Sequence, residues 1–447
     1  MNTSTTRTAR RAARRGAATA AALVAGLLAL TACSGDSGIV PADEDPGSSA
    51  PADGPVEIRF SWWGSDTRHQ TTQEIIDLFE SKNPDITVVP DFTDWGGYWD
   101  KLATSVAAGD APDVITQEER YLADYAGRGV LADLAELGVD TAAIDESVLA
   151  TGETEGGLYG IPTGVNAYAV LADPQAFEEA GVDLPDDATW SWEDYVDVAN
   201  EVSAASDGVY GTQDYGFNEA GISIRARQLG EALYTADGAL GVSEQTVADF
   251  FQTSLDLQEG GGEPDAARSV ETEAAGPEGS LLGTNTGAMG FWWSNQLGAV
   301  STAAGRDLEL LRVPGETSGE RTGMYLKPAM YYSVAKTSKH PEAAAAFVDF
   351  LLNDPEAGAL MLSDRGLPVN GEVREAILGD LPPADQQVAA FIEEIGADVV
   401  DSPPVPPQGA GDVTDILIRI NTEVLFGNLS PDDAAAQFLD EVEAATS

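Results

Sequence analysis

The sequence predicts a large α/β protein of two lobes. Strands alternate with helices from Val56 onward, and the apolar period switches between two and 3.6 along the chain. With 447 residues, 43% hydrophobic and 22% charged, the chain is long enough for two or three domains and a sizeable buried core. Alternating strands and helices imply βαβ units and open, mainly parallel sheets flanked by helices.

The elements follow in order. Val56–Trp62 (VEIRFSW) places β-branched or aromatic residues at alternate positions, which predicts a strand. A helix is predicted over Thr71–Ser81, with Ile75, Ile76, Leu78 and Phe79 on its buried side and Asn83-Pro84 ending it. Ile86–Val89 reads as the second strand. Tyr98, Leu102 and Val106 recur at helical spacing, and Gly109 stands where a left-handed C-terminal cap belongs. Asp113–Thr116 is a third short strand. Further on, Trp190–Ala205 is a helix opened by Ser191 with Asp194 three residues later, the spacing of a capping box. Thr286–Phe291 and Met330–Ala335 read as strands, and a helix starts at Pro341. Residues 259–280 lack clear periodicity and read as a surface loop with a short helical piece. No repeat of fixed period occurs.

The N-terminus sets the compartment. Five arginines lie within residues 7–15, followed by an apolar run at 17–30, too short to span a bilayer and suited to a signal-peptide core. The run ends in Leu30-Thr31-Ala32-Cys33, similar to a bacterial lipobox, and Cys33 is the chain's single cysteine. A lipidated Cys33 would hold the protein on the outer face of the cell membrane. Residues 34–54 are rich in Ser, Gly, Pro, Asp and Ala and read as a flexible tether, so folding is expected to begin near Val56.

Composition excludes several function classes. There are 75 Asp and Glu against 23 Lys and Arg, a formal net charge of −52, which repels phosphate backbones and excludes nucleic acid as a partner. One cysteine and two histidines leave no Cys-based zinc site and no intrachain disulfide. No metal or other cofactor is expected, and no D-x-[DN]-x-[DN]-G calcium loop occurs.

Six of the eight tryptophans fall in three tight clusters: Trp62-Trp63, Trp95 with Trp99, and Trp292-Trp293. Each lies at a strand end or in a polar, Gly-rich turn (SWWGSD, TDWGGYWD, FWWSNQ), where open α/β sheets bind ligands. A flat indole suits the apolar face of a sugar ring, with nearby carboxylates, amides and guanidinium groups on its hydroxyls. Asp66, Arg68, Glu118, Glu119, Asn166 and Asn295 are the polar candidates. Within each pair one ring should face the core and the other the crevice, and Trp63 and Trp293 are the expected crevice-facing members. Trp99, Trp190 and Trp192 read as packing residues.

These segments together resemble the extracellular solute-binding proteins of bacterial ABC importers, family 1, the sugar-binding family that includes maltose-binding protein. The resemblance is carried by the lipobox, RFSWWGSDTRHQ, FESKNPDITVV, DWGGYWDKLATSVAAGDAPDV and YLADYAGRGVLADL. It continues through GGLYGIPTGVNAYAVLADPQAFEEAGVDLP, TWSWEDY, TGAMGFWWS, VAKTSKHPEAAAAFVDFLLNDPE and DRGLPVN. It implies a two-lobed periplasmic-binding-protein fold of type II with one ligand clasped between the lobes. Residues 1–32 would be signal peptide and 33–55 lipidated cysteine and tether. Lobe one would hold 56–163 plus 329–364, and lobe two 164–328 plus 365–447. The implied ligand-binding set is Trp63, Asp66, Arg68, Trp95, Glu118, Asn166, Trp292, Trp293 and Arg365, the last in a late loop at the cleft. Where the family often has Tyr-Asn-Lys after the crossing, this chain has Leu171-Ala172-Asp173, and no role is carried onto those three.

The expected function is a monomeric, lipid-anchored receptor that captures a sugar by lobe closure and hands it to the permease subunits of an ABC transporter, with no chemistry of its own. A binding protein for a cationic solute such as a polyamine would explain the acidity. A secreted glycoside hydrolase would share the aromatic platforms and paired carboxylates, but no GxSxG, HExxH or Walker sequence is present.

Overall fold

Two mixed sheets organise the chain. The computed structural model describes residues 55–446 except 155, so the expected signal peptide, Cys33 and most of the tether lie outside the described residues. In the first sheet the spatial order is Ile86–Thr93, Val56–Trp63, Val114–Gln117, Tyr331–Val334, Ile161–Pro162. The first three strands run parallel, joined by the helices Asp66–Lys82 and Trp95–Ala107, as the βαβ pattern requires. The last two pair antiparallel.

The second sheet is built around Gly164–Ala172, with Glu309–Leu311 on one side and Gly287–Trp293 then Tyr210–Thr212 on the other. Leu326–Pro328 and Leu367–Pro368 also pair with its first residues. Every partner of the Gly164–Ala172 strand is antiparallel to it; only Gly287–Trp293 with Tyr210–Thr212 is parallel. The expectation of mainly parallel sheets is therefore corrected to mixed sheets. The reason is connectivity. Gly164–Ala172 carries the chain away from the first sheet, and Leu326–Pro328 carries it back, so these neighbours must run in opposite directions.

Local chemistry fixes the elements as read, with shifts at their ends. The first helix begins at Asp66, five residues ahead of the expected start, because the Ser65 side chain caps it by accepting from the Arg68 amide. Its first turns are polar, so apolar periodicity alone could not show them. Gly109 has φ 72°, as a left-handed cap requires. Ser191 and Asp194 form the reciprocal capping box. Residues 259–280 hold more helix than expected, with Ala266–Ala274 and Gly276–Gly279 both helical.

Alternation along the first strand divides the core around the first sheet. Phe60 and Trp62 point to one face, where Phe60 meets Phe347 at 5.3 Å and Phe79 meets Phe347 at 4.9 Å. Ile115 and Trp63 face the other way with Tyr98, Leu102 and Leu122. The chain passes between the sheets at Thr163-Gly164, Pro328-Ala329 and Arg365-Gly366, and these passages touch. The Ala329 amide donates to the Gly164 carbonyl at 2.8 Å, and Thr163 Oγ1 donates to the Arg365 carbonyl at 3.0 Å. A Cβ on Gly164 would come within 2.4 Å of the Arg365 carbonyl oxygen, and Gly366 has φ 82°, so both positions require glycine.

Candidate functional site

A cavity of about 270 Å³ opens between the two sheets. Glu118, Glu119 and Arg120 enter from the first sheet, directly after the strand Val114–Gln117. From the second come Trp293 at the end of Gly287–Trp293, Lys327 on Leu326–Pro328, and Asn218 and Glu219 at the start of the helix Glu219–Gln228. Pro403, Pro404 and Pro406 close the wall with rigid apolar surface that contributes no backbone N–H.

Register explains why these groups meet. Asn166 stands opposite Lys327, and Tyr168 stands opposite Trp293, so residues 166 and 168 present their side chains on one sheet face with both partners. Tyr168 and Trp293 rings lie 5.1 Å apart, and the Lys327 ammonium lies 5.8 Å from the Trp293 ring. That face is an indole flanked by a cation, a phenol and an amide. Asn166 keeps a buried side-chain oxygen with no partner.

The charges of the cavity are mostly spent on one another. Lys327 donates to Glu119 at 2.5 Å, bridging the two sheets. Desolvation acts to lower the lysine pKa, but Glu119 and Glu118 outweigh it and hold the ammonium above its usual range. Arg120 pairs with Glu118 at 3.0 Å, and Arg227 pairs with Asp401 at 2.8 Å. Glu219 has a hydroxyl partner, Thr414, and burial raises its carboxyl.

A second chamber of about 240 Å³ adjoins the first, sharing Trp293 and Asn218 with it. Tyr168, Asp214, Phe291, Trp292, Glu273 and Gln296 line it.

Of the residues expected at the cleft, the structure brings Glu118, Trp292 and Trp293 to these cavities. Asn166 lies on the same sheet face as Lys327. Trp63 sits apart: at 8% exposure it is wedged against Trp95, Tyr98 and Trp99 at centroid distances of 5.0, 5.1 and 5.6 Å. Trp95 is 40% exposed on the rim of that cluster. Arg68 is engaged with Asp364, donating to its carboxylate at 2.8 Å and its carbonyl at 2.7 Å, and Asp66 is exposed in the first helical turn. Arg365 does not line either cavity. Only 2% exposed, it donates to Tyr332 Oη and Thr72 Oγ1 and lies over the Phe60 ring, so its guanidinium is consumed in the core beside the first sheet. Sequence reasoning missed Glu219, Arg227, Tyr325, Lys327 and the proline wall. The SPPVPP run was the one local signal available, a stiff apolar segment among polar loops.

The family model for bacterial extracellular solute-binding proteins matches residues 63–358, well over half of the chain. The chain belongs to that family. It is an extracytoplasmic solute-binding protein, not an enzyme. Among curated relatives, it is 29% identical over 365 residues to an uncharacterized lipoprotein in the oleD 5′ region of Streptomyces antibioticus, covering 76% of this chain and 74% of that one. It is 25% identical over 426 residues to the diacetylchitobiose binding protein DasA of Streptomyces coelicolor, covering 92% and 94%. Among solved structures, a family 1 extracellular solute-binding protein from Alicyclobacillus acidocaldarius superposes with a TM-score of 0.76 at 28% identity, over 88% of this chain and 99% of that one. The solute-binding protein thus shares the two-sheet architecture of its relatives.

Proposed function

We propose that this protein is a lipid-anchored receptor that captures a saccharide in the cleft and delivers it to the permease of an ABC transporter. The observation that carries the reading is the cleft face where Trp293 is flanked by Lys327, Tyr168 and Asn166, with Glu118 and Glu119 opposite. An indole covers the apolar face of a pyranose, while carboxylates and amides fixed by their own partners bond its hydroxyls. The name of the diacetylchitobiose-binding relative supports an amino-sugar-derived or related oligosaccharide.

The anchor rests on Leu30-Thr31-Ala32-Cys33, which would place the protein outside the cell membrane after signal-peptide removal. Two lobes would close about the passages at 163/164, 328/329 and 364/365, and the closed form is what the permease reads. The change of sheet at Gly164 and the return along Leu326–Pro328 support the first two of these divisions.

Titration of intrinsic tryptophan fluorescence with mono- and oligosaccharides tests the reading. A saturable change at micromolar sugar, with the sugar recovered unmodified, is the expected result. Silence across the panel from a folded protein would overturn the sugar.

A further inference from the structure

The second chamber differs from the first in its charge. Its walls carry the rings of Tyr168, Phe291 and Trp293 among others, and its ionisable carboxyls are Asp214 and Glu273. Among the described residues no lysine, arginine or histidine lines it, and neither carboxyl belongs to an ion pair. In the first chamber every lysine and arginine is matched to a carboxylate. This contrast is built into one continuous cleft.

We propose that the second chamber is a subsite for a cationic group, the protonated amine of a bound saccharide. The inference rests on the receptor reading above and deepens it by naming the charge of the ligand. Aromatic rings attract a cation over their faces through their quadrupoles. The carboxyl at the chamber's mouth supplies the counter-charge. Glu273, on the helix Ala266–Ala274, lines the chamber while its side chain stays open to solvent, so it can ionise and face a cation that arrives there. Behind the wall, Glu263 is buried and held well above its usual range, by desolvation and then by Asp214. Three carboxyl groups thus gather without an ion pair among them: Asp214 accepts from Ser254 and Asn421, and the nearby cation, Arg225, lies against Tyr215 and Trp192 instead. An acidic sugar would meet repulsion from whichever carboxyl is ionised, whereas a neutral one would leave them protonated and gain no ion pair there.

The experiment compares three probes by calorimetry on the full-length protein at neutral pH: the disaccharide of glucosamine, its N-acetylated counterpart diacetylchitobiose, and spermidine. The glucosamine disaccharide is expected to bind about tenfold more tightly than the acetylated one. Glu273→Gln should reduce that preference to under about threefold, and its thermal melt establishes that the variant is folded. Equal or weaker binding of the glucosamine disaccharide overturns the subsite while leaving the receptor reading intact. An unchanged preference in Glu273→Gln overturns it as well. Spermidine binding without any saccharide binding supports the cationic subsite and overturns the sugar.

Discussion

Replacing Trp293 with alanine separates a binding wall from a packing residue, with Trp63→Ala as its partner experiment. Trp293 is half-buried, lines both chambers, and touches Tyr168 and Lys327 with its ring. Stacking of a planar or puckered ring on an aromatic side chain is worth ~1–3 kcal/mol by analogy with base stacking. Trp293→Ala should therefore weaken saccharide binding roughly 5- to 150-fold. Its effect on folding should stay near ~1–2 kcal/mol, because much of the ring already faces the cavity. Trp63 has the opposite profile. Its ring is enclosed by Trp95, Tyr98 and Trp99, and truncation leaves a cavity in a buried aromatic cluster, at a cost of about 3–5 kcal/mol. Urea unfolding and calorimetric titration of both variants decide the matter. Full affinity in a folded Trp293→Ala, or a Trp63→Ala that keeps its stability and loses binding, would refute this division of labour.

Three further outcomes follow from the same geometry. The Glu119–Lys327 pair is mostly buried, with 16% and 25% side-chain exposure, so a double-mutant cycle of Glu119→Gln and Lys327→Met should show a coupling of about 1–2 kcal/mol by urea unfolding; a value near zero would remove the bridge between the sheets as a stabilising element. Arg365→Met should destabilise the fold by about 2–4 kcal/mol, since Tyr332 Oη and Thr72 Oγ1 lose their donor, while saccharide affinity in the folded protein stays unchanged; a selective loss of affinity would return Arg365 to the cleft. Glu263 contributes to the pH dependence alongside the other buried carboxyls, Glu219 among them. Its carboxyl is raised well above the ordinary 4.5 by desolvation, then by Asp214, so above 4.5 and until it ionises the folded state binds more protons than the unfolded one. Stability must then fall as pH rises above about 4.5, until Glu263 ionises in the folded state. Glu263→Gln should flatten that slope in urea midpoints measured across pH 4 to 8, and an unchanged slope would assign it to other groups.

The legible part of this fold was the part written in local periodicity. The strand Val56–Trp63, the capping box at Ser191 and the helix from Pro341 each announce themselves within a few residues, because cap chemistry and one buried face repeat locally. The strand Gly164–Ala172 does not. All nine of its residues are buried, so no alternation marks it, although it is the centre of the second sheet. The site divides in the same way. Trp293 and Glu118 stand at strand ends and could be named from position. Lys327, Glu219 and the prolines at 403–406 reach the cleft only through passages between sheets, which no local pattern records. Arg365 shows the converse: a charged residue next to Gly366 in a late loop reads as a ligand contact, yet its guanidinium is directed into the core by two hydroxyl partners contributed by distant segments.

The acidity of the chain and the neutrality of its first chamber are compatible because they operate at different ranges. A formal charge of −52 sets a field around the whole molecule that concentrates cations and repels anions, and salt screens it beyond about 8–10 Å. Inside the cleft, distances of 2.5 to 3.0 Å between Lys327 and Glu119 or Arg120 and Glu118 let pairing override that field, so the first chamber can bond uncharged hydroxyls without attracting counter-ions. The second chamber has no such pairs. There the local field, wherever a carboxyl is ionised, has the same sign as the global one. A ligand with hydroxyls at one end and a positive charge at the other matches this gradient at both ranges, whereas a wholly neutral sugar uses only the first chamber's chemistry and a uronic acid opposes the second. Charge distribution therefore assigns the two ends of such a ligand to the two chambers of this cleft.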